Sequence, residues 1–210
     1  MTQNTITAGD AVAPIAFAGG NDGTLVLQTG AAGAKVNAVS YAADGTPTFL
    51  KSGLVLGTAQ NTTSGTSIDF TGIPSWVKRI TVNLNGVSTN STSPVQLQIG
   101  SGSVSTTGYL SNLTSITNAA SPAVTNVTSG FVIGDAGTVA TTTLAGTFTL
   151  TLLSSNAWVC NAWVAHTNTA RLYGAQGAIT LGGALDRIRL TTVNGTDTFD
   201  AGSVNILYEG

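Results

Sequence analysis

Hydrophobic side chains recur at every second position through much of the chain: Ile80, Val82 and Leu84; Val95, Leu97 and Ile99; Phe148, Leu150 and Leu152; and Ile188 with Leu190, where Arg187 and Arg189 take the opposite parity. A period of two sends alternate side chains to opposite faces of an extended chain, so each run predicts a half-buried strand. Turn residues punctuate the runs at short intervals: Asn85 with Gly86, residues 100–103, residues 134–137, Gly182 with Gly183, and Asn194 with Gly195. Asn-Gly favours tight hairpins because both central positions take positive φ, so Asn85 and Gly86 predict a hairpin turn. No window carries a capped apolar stripe of period 3.6, and the abundant Thr, Val, Ile and Gly are poor helix formers. The pattern predicts an all-β chain with a β-sandwich or jelly-roll-like domain.

Residues 157–166 (AWVCNAWVAH) carry the most informative strand. Alternation places Trp158, Cys160, Ala162 and Val164 on one face and Val159, Asn161, Trp163 and Ala165 on the other. Both faces are apolar and each holds a tryptophan. Two readings stay open: a central strand buried on both sides, or a strand with one face packed against a second copy of the chain. In neither is it a solvated edge.

Composition shifts near residue 52. Residues 1–52 are rich in Ala and Gly and poor in large apolar side chains, and they read as short strands joined by glycine turns with little to bury alone. Residues 53–210 carry longer strands and all three tryptophans. The expected organisation is an N-terminal attachment or oligomerisation segment, 1–52, followed by a sandwich domain, 53–210.

Charge narrows the function. Only 8% of residues are charged, against roughly 25% in an ordinary soluble domain. Seven Lys and Arg with a net charge of −2 cannot form the basic surface that nucleic acid requires. With so little charge, solubility rests on hydroxyls and amides, or neighbouring subunits cover much of the surface. One Cys and one His supply neither a disulfide nor a zinc pattern. The first twenty residues show no basic start or apolar stretch of the signal-peptide kind, and nowhere do 18 apolar residues run together, so neither secretion signal nor membrane insertion is expected.

Candidate chemistry is correspondingly thin. His166 ends the tryptophan strand six residues beyond Cys160, roughly 20 Å along a straight strand, which disfavours a Cys/His pair and makes Cys160 a small buried hydrophobe. Asp186, Asp197 and Asp200 form the one local carboxylate cluster, and a glycosidase needs two carboxylates held at a defined spacing. Asp197 and Asp200 lie between strands, where aspartates usually cap turns. A Ca²⁺ site completed by Asn194 lacks EF-hand spacing. No catalytic, cofactor or metal residue is assigned. Asn-x-Ser/Thr triplets are expected by chance in so Thr-rich a chain, and the glycine pairs lack a phosphate-loop context. Trp76, following Ile73 and Pro74, is the foremost aromatic for stacking on a sugar, with Tyr109 and Tyr173 next; a tryptophan beside a turn can instead close the end of a sandwich.

Two stretches carry a resemblance. Residues 65–82 (GTSIDFTGIPSWVKRITV), followed by 85–89 and 98–102, and the closing residues 185–208 (LDRIRLTTVNGTDTFDAGSVNILY) resemble a domain of tailed-bacteriophage structural proteins. Residues 23–28 and 45–49 are similar to the fibre-like repeats of phage tail proteins, in which strands from three chains wrap together. The resemblance implies a virion component assembled in the host cytoplasm: a homotrimeric tail fibre or receptor-binding appendage, joined to other virion proteins through its N-terminal segment, with a host cell-surface glycan as a partner. A capsid or collar decoration protein is the alternative, and a glycan depolymerase is disfavoured by the scarcity of carboxylates. The hydroxyl-rich residues 88–94 and 111–122 are the expected recognition loops.

Overall fold

The computed structural model describes residues 53–118, 121–135 and 138–210, together with the backbone of five strands nearer the N-terminus. Those five, β1 (Thr5–Ile6), β2 (Ile15–Gly19), β3 (Leu25–Thr29), β4 (Val36–Tyr41) and β5 (Pro47–Phe49), pair in chain order as one antiparallel sheet. The glycine turns expected between them, Lys35 and Lys51 lie outside the described residues. The chain divides into two compact units, Met1–Gly53 and Leu54–Gly210.

The second unit is all-β, with no helix among the described residues. Its strands are β6 (Leu54–Leu56), β7 (Gln60–Asn61), β8 (Ser67–Thr71), β9 (Arg79–Thr89), β10 (Val95–Ser101), β11 (Ser103–Val104), β12 (Leu110–Thr117), β13 (Ala123–Val127), β14 (Phe131–Ile133), β15 (Leu144–Ser154), β16 (Ala157–His166), β17 (Arg171–Thr180), β18 (Arg187–Thr192) and β19 (Phe199–Glu209). They form two antiparallel sheets. The smaller runs β11-β10-β18-β8, with β14 also on β10; the larger runs β13-β12-β17-β16-β15-β9-β19-β6, with β7 also on β19.

The alternating runs supply the core. Ile80, Val82, Leu84, Phe148 and Leu150 of the larger sheet and Leu97, Ile99, Ile188 and Leu190 of the smaller are all buried, in one cluster with Phe70, Phe131 and Phe199. Burying these two inner faces against each other is the main drive to fold, because each sheet alone leaves one apolar face in water. The opposite parity at Arg187 and Arg189 points outward, and each arginine pairs with a carboxylate, Asp186 at 2.8 Å and Asp69 at 2.7 Å.

Three expectations change. Asn85 and Gly86 make no hairpin: β9 runs straight through them, and the register of β9 against both β15 and β19 slips beside them. Gly86 takes φ +65°, and opposite it Gly202 takes φ +92° with a Cβ position only 2.4 Å from the Gly86 carbonyl oxygen. The pair marks a β-bulge inside a long strand, which meets the positive-φ requirement without ending the strand. Of residues 111–122, those from 111 to 117 are no loop either, for they lie in β12. Ser111 and Ser115 point inward with buried Leu113; Ser111 Oγ reaches the carbonyls of Val127 (3.0 Å) and Gly130 (2.9 Å) and Ser115 Oγ donates to Asp135, so these hydroxyls are satisfied inside instead of meeting solvent. Finally, β16 is central as expected but is buried on one face only, as its outward side chains show below.

Candidate functional site

Two of the three aromatic candidates present no ring to solvent. Tyr109 is wholly buried: its hydroxyl accepts from Ile99 N at 2.8 Å and lies 3.1 Å from the Ser105 carbonyl oxygen, while its ring meets Phe131 edge-on at 5.0 Å. Tyr173 is equally buried and donates to Asp135 at 3.3 Å. Each hydroxyl finds its partner inside, which lets the sandwich bury both rings. Neither can stack on a sugar. Trp76, in the segment between β8 and β9, is half-buried, packs against the core and tilts over Tyr208 at a centroid distance of 5.8 Å.

His166 and Cys160 both point inward from β16, and both are buried. Burial pushes the Cys160 thiol far above its ordinary range, so it is not a thiolate nucleophile. His166 Nδ1 sits 2.7 Å from Thr169 Oγ1, its ring stacks on Tyr173 at 6.3 Å, and Nε2 is buried without a partner. Its pKa is lowered, first by burial and then by the neighbouring Arg171 guanidinium, with Asn168 and Asp135 opposing. Beside it, Asp135 accepts from Ser115 Oγ (2.5 Å), Arg171 (2.9 Å) and Tyr173. This polar knot ties β12, β17 and the segment after β14 together.

Asp197 and Asp186 are structural as well, whereas Asp200 lies not between strands, as expected, but on the exposed side of β19 near its start. Asp197 accepts from Ser93 N at 2.9 Å and from Asn194 Nδ2 at 2.6 Å, fixing the turn between β18 and β19. Asp186 is engaged by Arg187 and by Gly102 N at 3.1 Å, and the Arg187 guanidinium holds its pKa below the usual carboxylate range. A depression of about 430 Å³ beside β8 is lined by Gln60, Phe70, Ile73, Ile206 and one carboxylate, Asp69, already paired with Arg189. All four arginines are ion-paired: Arg79 with Glu209, Arg171 with Asp135, and the two pairs above. Among the described residues no three His, Cys, Asp or Glu side chains gather as a metal site would require.

The feature that sequence reasoning missed is the outer face of the larger sheet. Register aligns its outward residues in rows across the strands. One row runs Asn126 (β13), Asn112 (β12), Gln176 (β17), Asn161 (β16) and Thr149 (β15); the next runs Val124, Thr114, Gly174, Trp163 and Thr147. On the opposite side of the amide row lie Leu110, Ala178, Val159 and Thr151. Continued onto β9, the last of these rows reaches Arg79, which faces Thr151 and pairs with Glu209; the other positions named carry no charge.

At the centre is Trp163, 44% exposed. Its benzenoid edge and the Gln176 amide nitrogen converge above Gly174: a Cβ there would lie 3.1 Å from the indole Cζ3 and 2.8 Å from Gln176 Nε2. The glycine lets the ring settle onto the sheet with its other side in water. Gln176 Nε2 donates to the Ala162 carbonyl at 3.2 Å, holding the amide beside the ring. At the end of the amide row a depression of about 230 Å³ opens, lined by Leu110, Asn112, Asn126 and Thr128 among others. Alternation had placed Trp163 opposite Trp158, but only strand order and register reveal which amides stand beside it.

Comparison with protein-family models, with curated proteins and with solved structures returned no match to this chain.

Proposed function

We propose that the protein is a non-enzymatic structural component of a tailed-phage particle, a homotrimeric tail fibre or receptor-binding appendage whose N-terminal segment joins it to its copies and to other virion proteins and whose sandwich is displayed outward. The observation that carries this reading is where the two phage-like stretches fall. Residues 65–82 contain β8 and the start of β9, and residues 185–208 contain β18 and nearly all of β19. β8 pairs with β18 in the smaller sheet, and β9 pairs with β19 in the larger. Stretches more than a hundred residues apart thus form one strand pair in each layer, as parts of a single inherited unit would.

Two further features support it. The described strands of the N-terminal unit make one sheet of short strands, and a single sheet needs another layer on at least one face; identical copies are the economical source. Asp69, Asp135, Asp186, Asp197 and Glu209 are committed to ion pairs, turns or buried contacts, and the one imidazole is buried, which supports a reading without an acid/base pair poised for hydrolysis.

Display on a symmetric particle would let weak sites act together through multivalency. The test is competition: the purified full chain, added in excess, is expected to block adsorption of the phage that carries it. Presence in the particle with adsorption unchanged would remove receptor binding and leave a decoration role; absence from purified particles would overturn the proposal.

A further inference from the structure

We infer that the outer face of β12, β17 and β16 around Trp163 is a binding platform for a neutral glycan, one sugar ring stacking on the exposed side of the indole while its hydroxyls meet the amides of Asn161, Gln176 and Asn112. The inference gives the displayed sandwich its ligand class, and it rests on the appendage reading only for the source of that glycan.

The chemistry runs from the residues outward. An indole with one side laid on the sheet and the other in water is a flat apolar surface of fixed direction. A pyranose offers its counterpart, a C–H-lined face ringed by hydroxyls that both donate and accept. Asn and Gln amides also do both, unlike a carboxylate or an ammonium. Here four amides stand on four adjacent strands at about 4.8 Å spacing, a row about 14 Å long beside the ring. The Gln176 amide is already oriented by Ala162 and shares the space above Gly174 with the indole, so little ordering remains to be done on binding. Neutrality follows from the uncharged positions around Trp163: Arg79 lies on the same face at the far end of the Val159–Thr151 row, and its charge is balanced there by Glu209, so an acidic sugar or an acidic peptide finds no unpaired cation beside the ring.

A second copy of the chain fits this face less well. Protein interfaces bury an apolar centre within a polar rim, whereas here the amides occupy the middle, between the Leu110–Val159 row and the Val124–Trp163 row. Covering them with another sheet would leave each amide requiring a new partner.

The test is retention of the labelled full chain on a printed array of neutral and acidic oligosaccharides, alongside Trp163→Ala, Trp163→Phe, Asn161→Ala and Trp76→Ala. The expected result is retention on neutral glycans only, weakened tenfold or more by Trp163→Ala, partly restored in Trp163→Phe, weakened several-fold by Asn161→Ala and unchanged by Trp76→Ala. Retention on no neutral glycan, or retention indifferent to Trp163, would overturn it. So would a solution mass that falls in Trp163→Ala, which would make the face a contact between copies. Array binding by a chain absent from purified particles would support this site and sink the virion role; a chain present in particles that retains no glycan would do the reverse.

Discussion

Trp158 and Trp163 lie five residues apart on one strand and meet opposite surroundings. Trp158 is buried at 2% exposure in the core, while Trp163 rests on Gly174 with its outer side in water. Trp158→Ala should therefore cost about 3–5 kcal/mol in chemical denaturation, the range for removing a buried aromatic, and Trp163→Ala about 1 kcal/mol or less. His166 gives a second prediction at this scale. Its folded pKa is depressed, so the unfolded chain binds the proton more readily, and stability falls as pH drops through the ordinary histidine range near about 6.5. As the one histidine in the chain, it should dominate the loss of thermal stability between about pH 7 and pH 5, and His166→Gln should flatten that limb. An unchanged slope in the variant would refute the assignment. What the sequence shows at this scale is parity: which side chains share a face of a strand. It does not show that Tyr109 and Tyr173 turn inward, because that depends on hydroxyl partners, Ile99 N and Asp135, supplied by other strands.

Among elements, alternation located the strands, and the misread segments have physical reasons. Asn85 and Gly86 meet the same positive-φ requirement in a bulge as in a hairpin, and only the long-range partner, Gly202, distinguishes the two. Gly202→Ala would force a Cβ against the Gly86 carbonyl and a side chain into a positive-φ position; a loss of about 1–3 kcal/mol is expected from the shift of the denaturation midpoint. Serines on β12 look like loop residues until their inward partners are known. The turn from β18 to β19 was legible from Asn194 and Gly195, and Asp197 does cap it. Asp197→Ala, which strands the Ser93 amide, should destabilise by about 1–3 kcal/mol; no measurable loss would mean the turn is held by its glycine alone.

At the scale of the molecule, the all-β class was legible because period-two runs and turn residues agree along the whole sandwich. The platform was not, because it is made by register: amides from residues 112, 126, 161 and 176 become neighbours only when four strands align. The same register leaves a broad face whose charges are confined to the Arg79–Glu209 pair at one end. In the proposed function, copies of the chain complete one another through the N-terminal segment. This is tested most directly by the solution mass of the full chain from light scattering across a dilution series. The account predicts three times the 21.0 kDa chain mass, persisting on dilution. A stable, cooperatively folded particle of 21.0 kDa would contradict it.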